Sequence, residues 1–74
     1  MISGTDRILA GKVSFFSAEK GYGFISPDDG SREVYVAPTV VKASGLGGLV
    51  KGQKVRFKVA RTHPGPKAVD LHGT

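Results

Sequence analysis

Lys20-Gly21-Tyr22-Gly23-Phe24-Ile25-Ser26-Pro27-Asp28-Asp29-Gly30 is the stretch on which the reading of this chain turns. Successive side chains of an extended segment point to opposite faces, so Tyr22 and Phe24 fall on one face and Ile25 on the other. Pro27-Asp28-Asp29-Gly30 then brings a proline, two turn-forming acids and a glycine that tolerates positive φ, and the chain must reverse there. It returns as Glu33-Val34-Tyr35-Val36, in which the β-branched valines share one face and Tyr35 takes the other. Tyr22, Phe24 and Tyr35 therefore have a parity opposite to Ile25, Val34 and Val36, which predicts aromatics outside and aliphatics inside. Upstream, residues 8–16 carry Val13, Phe15 and Phe16 and lead into Ser17-Ala18-Glu19-Lys20-Gly21, a polar turn. Adjacent rings cannot share a face of a regular strand, so one of Phe15 and Phe16 is core unless a bulge re-aims the other.

Working outward, Pro38 ends the third run, and residues 43–52, with four glycines and few large side chains, read as a flexible connecting loop. Residues 54–61 are the cleanest strand, because Val55, Phe57 and Val59 alternate with Lys54, Arg56 and Lys58. Thr62-His63-Pro64-Gly65-Pro66 interrupts the chain a second time, and residues 67–71 can form a fifth strand. No window sustains the 3.6-residue period of a standard helix. The chain is expected to be all-β, with five short strands closed into a small barrel that leaves no exposed edges. Its expected core is Val13, Ile25, Val34, Val36, Val55, Phe57 and Val59. Residues 8–72 form the expected domain, and residues 1–7, which lack a strand pattern, are expected to be mobile.

Composition narrows the functional classes. A chain of 74 residues builds one thin core, and it contains no cysteine to supplement that core with a disulfide or a thiolate metal site. Eleven Lys and Arg against six Asp and Glu give a net charge of +5, which attracts polyanions. No apolar run approaches the roughly 20 residues of a membrane span, and the N-terminus lacks the apolar stretch of a secretory signal. A soluble protein of the reducing cytoplasm is the expectation. His63 and His72 read as surface residues without a metal set. Asp28 and Asp29 read as turn residues rather than paired catalytic acids, and the glycines of residues 45–52 fail both the dinucleotide and the phosphate-loop patterns.

Gly11-Lys12-Val13-Ser14-Phe15-Phe16-Ser17, Glu19-Lys20-Gly21-Tyr22-Gly23-Phe24-Ile25, Asp29-Gly30 and Val34-Tyr35-Val36 occur in the order seen in the cold-shock domain family, which the chain closely resembles. The resemblance runs from about Ala10 to Leu71 and includes Gly52-Gln53-Lys54-Val55 and Gly65-Pro66. It implies a five-stranded antiparallel OB-type barrel that binds single-stranded RNA or DNA, often as an RNA chaperone or cold-inducible regulator. By position, Lys20, Tyr22 and Phe24 match the family's first ribonucleoprotein motif and Tyr35 the stacking aromatic of its second. Phe15 stands where the family usually has Trp, and Phe16 matches the Phe beside it. The chain departs from the family at Ala37 and Pro38, where His and Phe are usual, at Ser14, where Lys is usual, and at Leu46, where a Phe often lies in the long loop.

Exposed aromatics beside a cation suit unpaired bases, because bases stack on rings while the cation attracts the neighbouring phosphates. The candidate binding residues are Phe15, Phe16, Lys20, Tyr22, Phe24 and Tyr35, joined by Lys12, Arg61, His63 and Lys67. Arg56 and Lys58 alternate with core residues and read as a solvated outer face. The expectation is a monomeric binding protein for single-stranded RNA or DNA, not an enzyme, with no cofactor, metal, membrane or small-molecule substrate. A protein-interaction module that kept the barrel and lost part of the nucleic-acid face is the alternative.

Overall fold

Alternation of apolar and polar residues produces five strands in the computed structural model, which describes residues 8–61 and 65–73. They are β1 (Ile8–Phe16), β2 (Gly23–Pro27), β3 (Val34–Val36), β4 (Lys54–Arg61) and β5 (Pro66–Gly73), with one helix, α1 (Pro38–Ser44), between β3 and β4. The strands close into a barrel in the order β1-β2-β3-β5-β4. Four of the seams are antiparallel; the ring closes through a parallel pairing of β3 with β5, at Tyr35 and Lys67. The expected all-β barrel is therefore present, with one seam that differs in direction from a wholly antiparallel ring.

The inward residues are Val13, Ile25, Val34, Val36, Val55, Phe57, Ala68 and Leu71, with Val41 of α1 and Leu49 of the following loop. Phe57 and Ile25 are the largest fully buried side chains, and burying an aromatic or aliphatic side chain of this size contributes about 1.5–3 kcal/mol. Val59 is only half-buried, against the expectation that it belongs to the core. The last described pair of β1 with β4 is Ile8 with Lys58, so Val59 projects beyond the shared part of that seam. On β5 a register shift between Lys58 and Val59 of its partner leaves Val69 outside the ladder, which is why Ala68 and Leu71 both point inward at an odd spacing.

Residues 43–52 are not merely a loose connection. Pro38 does end β3, yet it also starts α1, where its fixed φ suits the first helical position, and the Ala37 carbonyl accepts the Val41 N–H at 3.1 Å. The seven-residue helix is too short to display a helical period, and it contributes a single buried residue, Val41. After it, Leu49 inserts into the core, and the loop is tied to β1 by Val13 N–H to the Gln53 carbonyl at 2.9 Å and Gly52 N–H to the Val13 carbonyl at 2.7 Å. The Gln53 side chain also accepts the Val50 N–H at 3.0 Å. Pro27 to Gly30 turns as read, with the Gly30 N–H donated to the Pro27 carbonyl at 3.2 Å. The segment expected to be mobile, residues 1–7, lies outside the described residues.

Candidate nucleic-acid interface

The outer face of β1, β2 and β3 is assembled around an irregularity in β1. Val13 pairs with Ile25, but the next pair is Phe15 with Phe24, so Ser14 drops out of the ladder. In a regular strand Phe15 would follow Val13 into the barrel; the extra residue turns it outward. The Ser14 hydroxyl donates to the Phe24 carbonyl at 3.3 Å, which ties the bulge to β2. Of the two adjacent rings, Phe15 is therefore the exposed one, at 45%. Phe16 is half-buried and packs against the core.

Four rings meet on this face. Phe15 lies 5.7 Å from Tyr22 and 6.3 Å from Phe24, centroid to centroid. Tyr22 lies 6.0 Å from both Phe24 and Tyr35, and Phe24 lies 5.8 Å from Tyr35. All contacts are tilted or edge-to-face, within the 4.5–7 Å range of favourable ring pairs. No two rings are stacked flat on each other, so the patch does not consume its own π-faces. Gly23 permits this arrangement: a Cβ there would lie 2.7 Å from the Phe15 carbonyl oxygen and 3.2 Å from the Phe16 ring, so only glycine lets β1 and β2 approach so closely.

The cations of the sequence reading surround these rings in different ways. Lys20 is exposed in the loop joining β1 to β2, a loop held by Ser17 N–H to the Tyr22 carbonyl at 2.9 Å and by Lys20 N–H to the Ser17 hydroxyl at 3.2 Å. Gly21, at φ 85°, makes the reversal that returns the chain to Tyr22. Lys12 is exposed on β1 opposite Ser26, two positions beyond Phe24 on the outer side. Lys67 is exposed and pairs directly with Tyr35 across the parallel seam, a neighbour that its distance in sequence conceals. The backbone of Arg61 ends β4 opposite Pro66, whereas His63 lies outside the described residues.

Phe16 is not brought into the ring cluster. It lines a separate open cleft of about 610 Å³, together with Lys20, Gly21, Pro38, Val41 and Lys42. Lys42, in the last turn of α1, escaped the sequence reading because the helix itself did. Pro38 lies close to the β1–β2 loop, since a Cβ on Gly21 would sit 3.3 Å from its Cβ. Among the described residues no polar or charged side chain is buried. Lys20 and Lys42 are therefore solvated, and their charge is felt through water rather than through a fixed buried pair. His72 is exposed and pairs with Asp70 at 3.1 Å, and among the described residues no cluster of three metal-binding side chains occurs. No helix among the described residues is long and apolar enough to cross a membrane.

Comparison with known proteins agrees with this geometry. The family model described as 'Cold-shock' DNA-binding domain matches residues 9–74. The chain is 48% identical over 61 residues to a probable cold shock protein A of Mycolicibacterium smegmatis, covering 82% of this chain and 91% of that protein. It is 40% identical over 63 residues to the cold shock-like protein CspC of Shigella flexneri, covering 85% and 91%. To the cold shock-like protein CspE of Escherichia coli it is 36% identical over 63 residues, with the same coverage of 85% and 91%.

Proposed function

Since the chain belongs to the cold-shock domain family, we propose that it is a binding protein for single-stranded RNA or DNA that holds unpaired bases on Phe15, Tyr22, Phe24 and Tyr35. The observation that carries this reading is the cluster of four rings on an outer sheet face, where a hydrophobic residue without a ligand would be disfavoured. Lys12, Lys20 and Lys67 border the rings and attract phosphates, and Arg61 and His63 add two further basic candidates from the sequence. Phe16 acts indirectly, by supporting the loop that carries Lys20. Reading by stacking is tolerant of sequence, so base preference is weak. The protein works as a cytoplasmic monomer, without cofactor or catalytic step, and keeping RNA strands unpaired makes it an RNA chaperone or a regulator of transcription or translation.

The test is a titration of one labelled oligonucleotide, single-stranded and as a duplex, at low and moderate salt. Preference for the single strand at both salts is the expected result, because a duplex keeps its base faces occupied. Equal affinity for the two forms would remove stacking from the explanation, and no salt-sensitive binding at all would favour a protein-interaction module on the same barrel.

A further inference from the structure

The ring face is not chemically uniform. Phe15 and Tyr35 each touch both Tyr22 and Phe24, so the four rings form a diamond with Phe15 and Tyr35 at opposite corners. One side of the diamond, Phe15 with Phe24, is wholly apolar; the side across from it, Tyr22 with Tyr35, spans 6.0 Å and carries two phenol hydroxyls. Neither hydroxyl has a hydrogen-bond partner among the described residues, and no buried side-chain oxygen there lacks one, so both are open to solvent. Each is a donor and an acceptor. Packing of the cluster does not require them, since the ring of a phenylalanine makes the same tilted and edge contacts, as Phe15 and Phe24 do.

We propose that the Tyr22 and Tyr35 hydroxyls bond the 2′-hydroxyls of ribose, so that the ring face holds RNA more tightly than DNA of the same base sequence. This inference rests on the reading of the ring face given above. A base stacked on a ring lies in a plane parallel to that ring, whereas a phenol oxygen lies in the plane of the ring itself. The oxygen is therefore offset from the polar edges of the base that its ring carries. The sugar leaves the base plane toward the backbone, and its hydroxyl can come level with the phenol. A 2′-hydroxyl donates and accepts, as a phenol does, and it is the group that distinguishes RNA from DNA. Lys67 is exposed and pairs with Tyr35 across the parallel seam. Since ribose always stands between base and phosphate, a base on Tyr35 with its phosphate at Lys67 leaves the sugar at the rim of the ring. Lys20, exposed and two residues before Tyr22, provides the same combination of ring and cation at the other hydroxyl. The preference is for the sugar and leaves the weak base preference as it is.

The experiment uses the full chain, Tyr22→Phe, Tyr35→Phe and the double variant, with oligouridylate and oligo-2′-deoxyuridylate of equal length. The two strands differ only at the 2′ position, and phenylalanine keeps the ring, so the base, the phosphates and the stacking surface are common to every measurement. Unchanged unfolding midpoints establish that the variants are folded. The native protein should bind the ribose strand more tightly. Each single substitution should lower its affinity for that strand about two- to tenfold, the worth of one hydrogen bond, and leave the deoxyribose strand unaffected. The ratio of the two affinities should fall furthest in the double variant. A ratio that the double variant leaves unchanged overturns the proposal, as does a native protein that binds both strands equally. Equal weakening of both strands also overturns it, and assigns the hydroxyls to bases or phosphates. If the native protein binds the deoxyribose strand without discriminating, the ring reading stands and only the role of the hydroxyls is lost; if it binds neither strand, the ring reading fails and this inference with it.

Discussion

Strands β2 and β4 present similar interiors and opposite exteriors. Inward, β2 offers Ile25 and β4 offers Val55 and Phe57, all fully buried. Outward, Phe24 of β2 lies among aromatic rings, whereas β4 carries Lys54, Arg56 and Lys58. The interior is shared because every strand of a closed barrel must fill the same small volume. The exterior is free of that constraint, so the two strands can offer different physical interactions. Rings bind by stacking, which is short-ranged and changes little with salt; the cations bind by counterion release, which is long-ranged and falls steeply with salt. On the proposed reading, a barrel with a ring face and basic side chains separates how strongly bases are held from how readily a strand is captured.

The most severe break in this comparison comes from the shared interior. Phe57→Ala is expected to destabilise the fold by about 3–5 kcal/mol and Ile25→Ala by about 2–5 kcal/mol, measured by denaturant unfolding. A small domain has little stability to lose, so both variants should be largely unfolded and unable to bind. Retained stability in either would mean that the two interiors are not equivalent. Gly23→Ala comes next, with an expected loss of about 1–3 kcal/mol as the new Cβ is forced against the Phe15 carbonyl. Because it acts at the β1–β2 seam, it should also disturb the near-ultraviolet signal of the ring cluster.

On the exterior, Phe24→Ala should weaken single-strand binding by about 1–3 kcal/mol while leaving the salt slope nearly unchanged. A substantial change in slope would show that the rings and the cations are not separable. The smallest expected effect is that of Lys67→Ala, which should flatten the slope by about 0.7 for one lost phosphate contact and leave the fold intact. If the slope stays as it was, Lys67 is not part of the bound path despite lying beside Tyr35.

The strand limits of β1 and β4, the turn at residues 27–30, and the separation of Tyr22, Phe24 and Tyr35 from Ile25, Val34 and Val36 follow from the amino-acid sequence alone. Each depends on the two-residue alternation of an extended backbone or on the local preferences of proline, glycine and aspartate, and such properties reside within a few consecutive residues. The outward turn of Phe15 could be anticipated only as an alternative. It requires a bulge at Ser14, and a bulge exists only relative to the strand it is paired with. The same limit explains α1, whose seven residues hold one buried side chain, and Leu49, whose burial depends on where the loop meets the barrel end. It also explains the pairing of Lys67 with Tyr35 and of Lys12 with Lys54, since these pairs are made by barrel closure between distant segments. Local chemistry thus determined which side chains could face outward, while tertiary pairing decided which of them became neighbours, because register is a relation between strands and no single segment contains it.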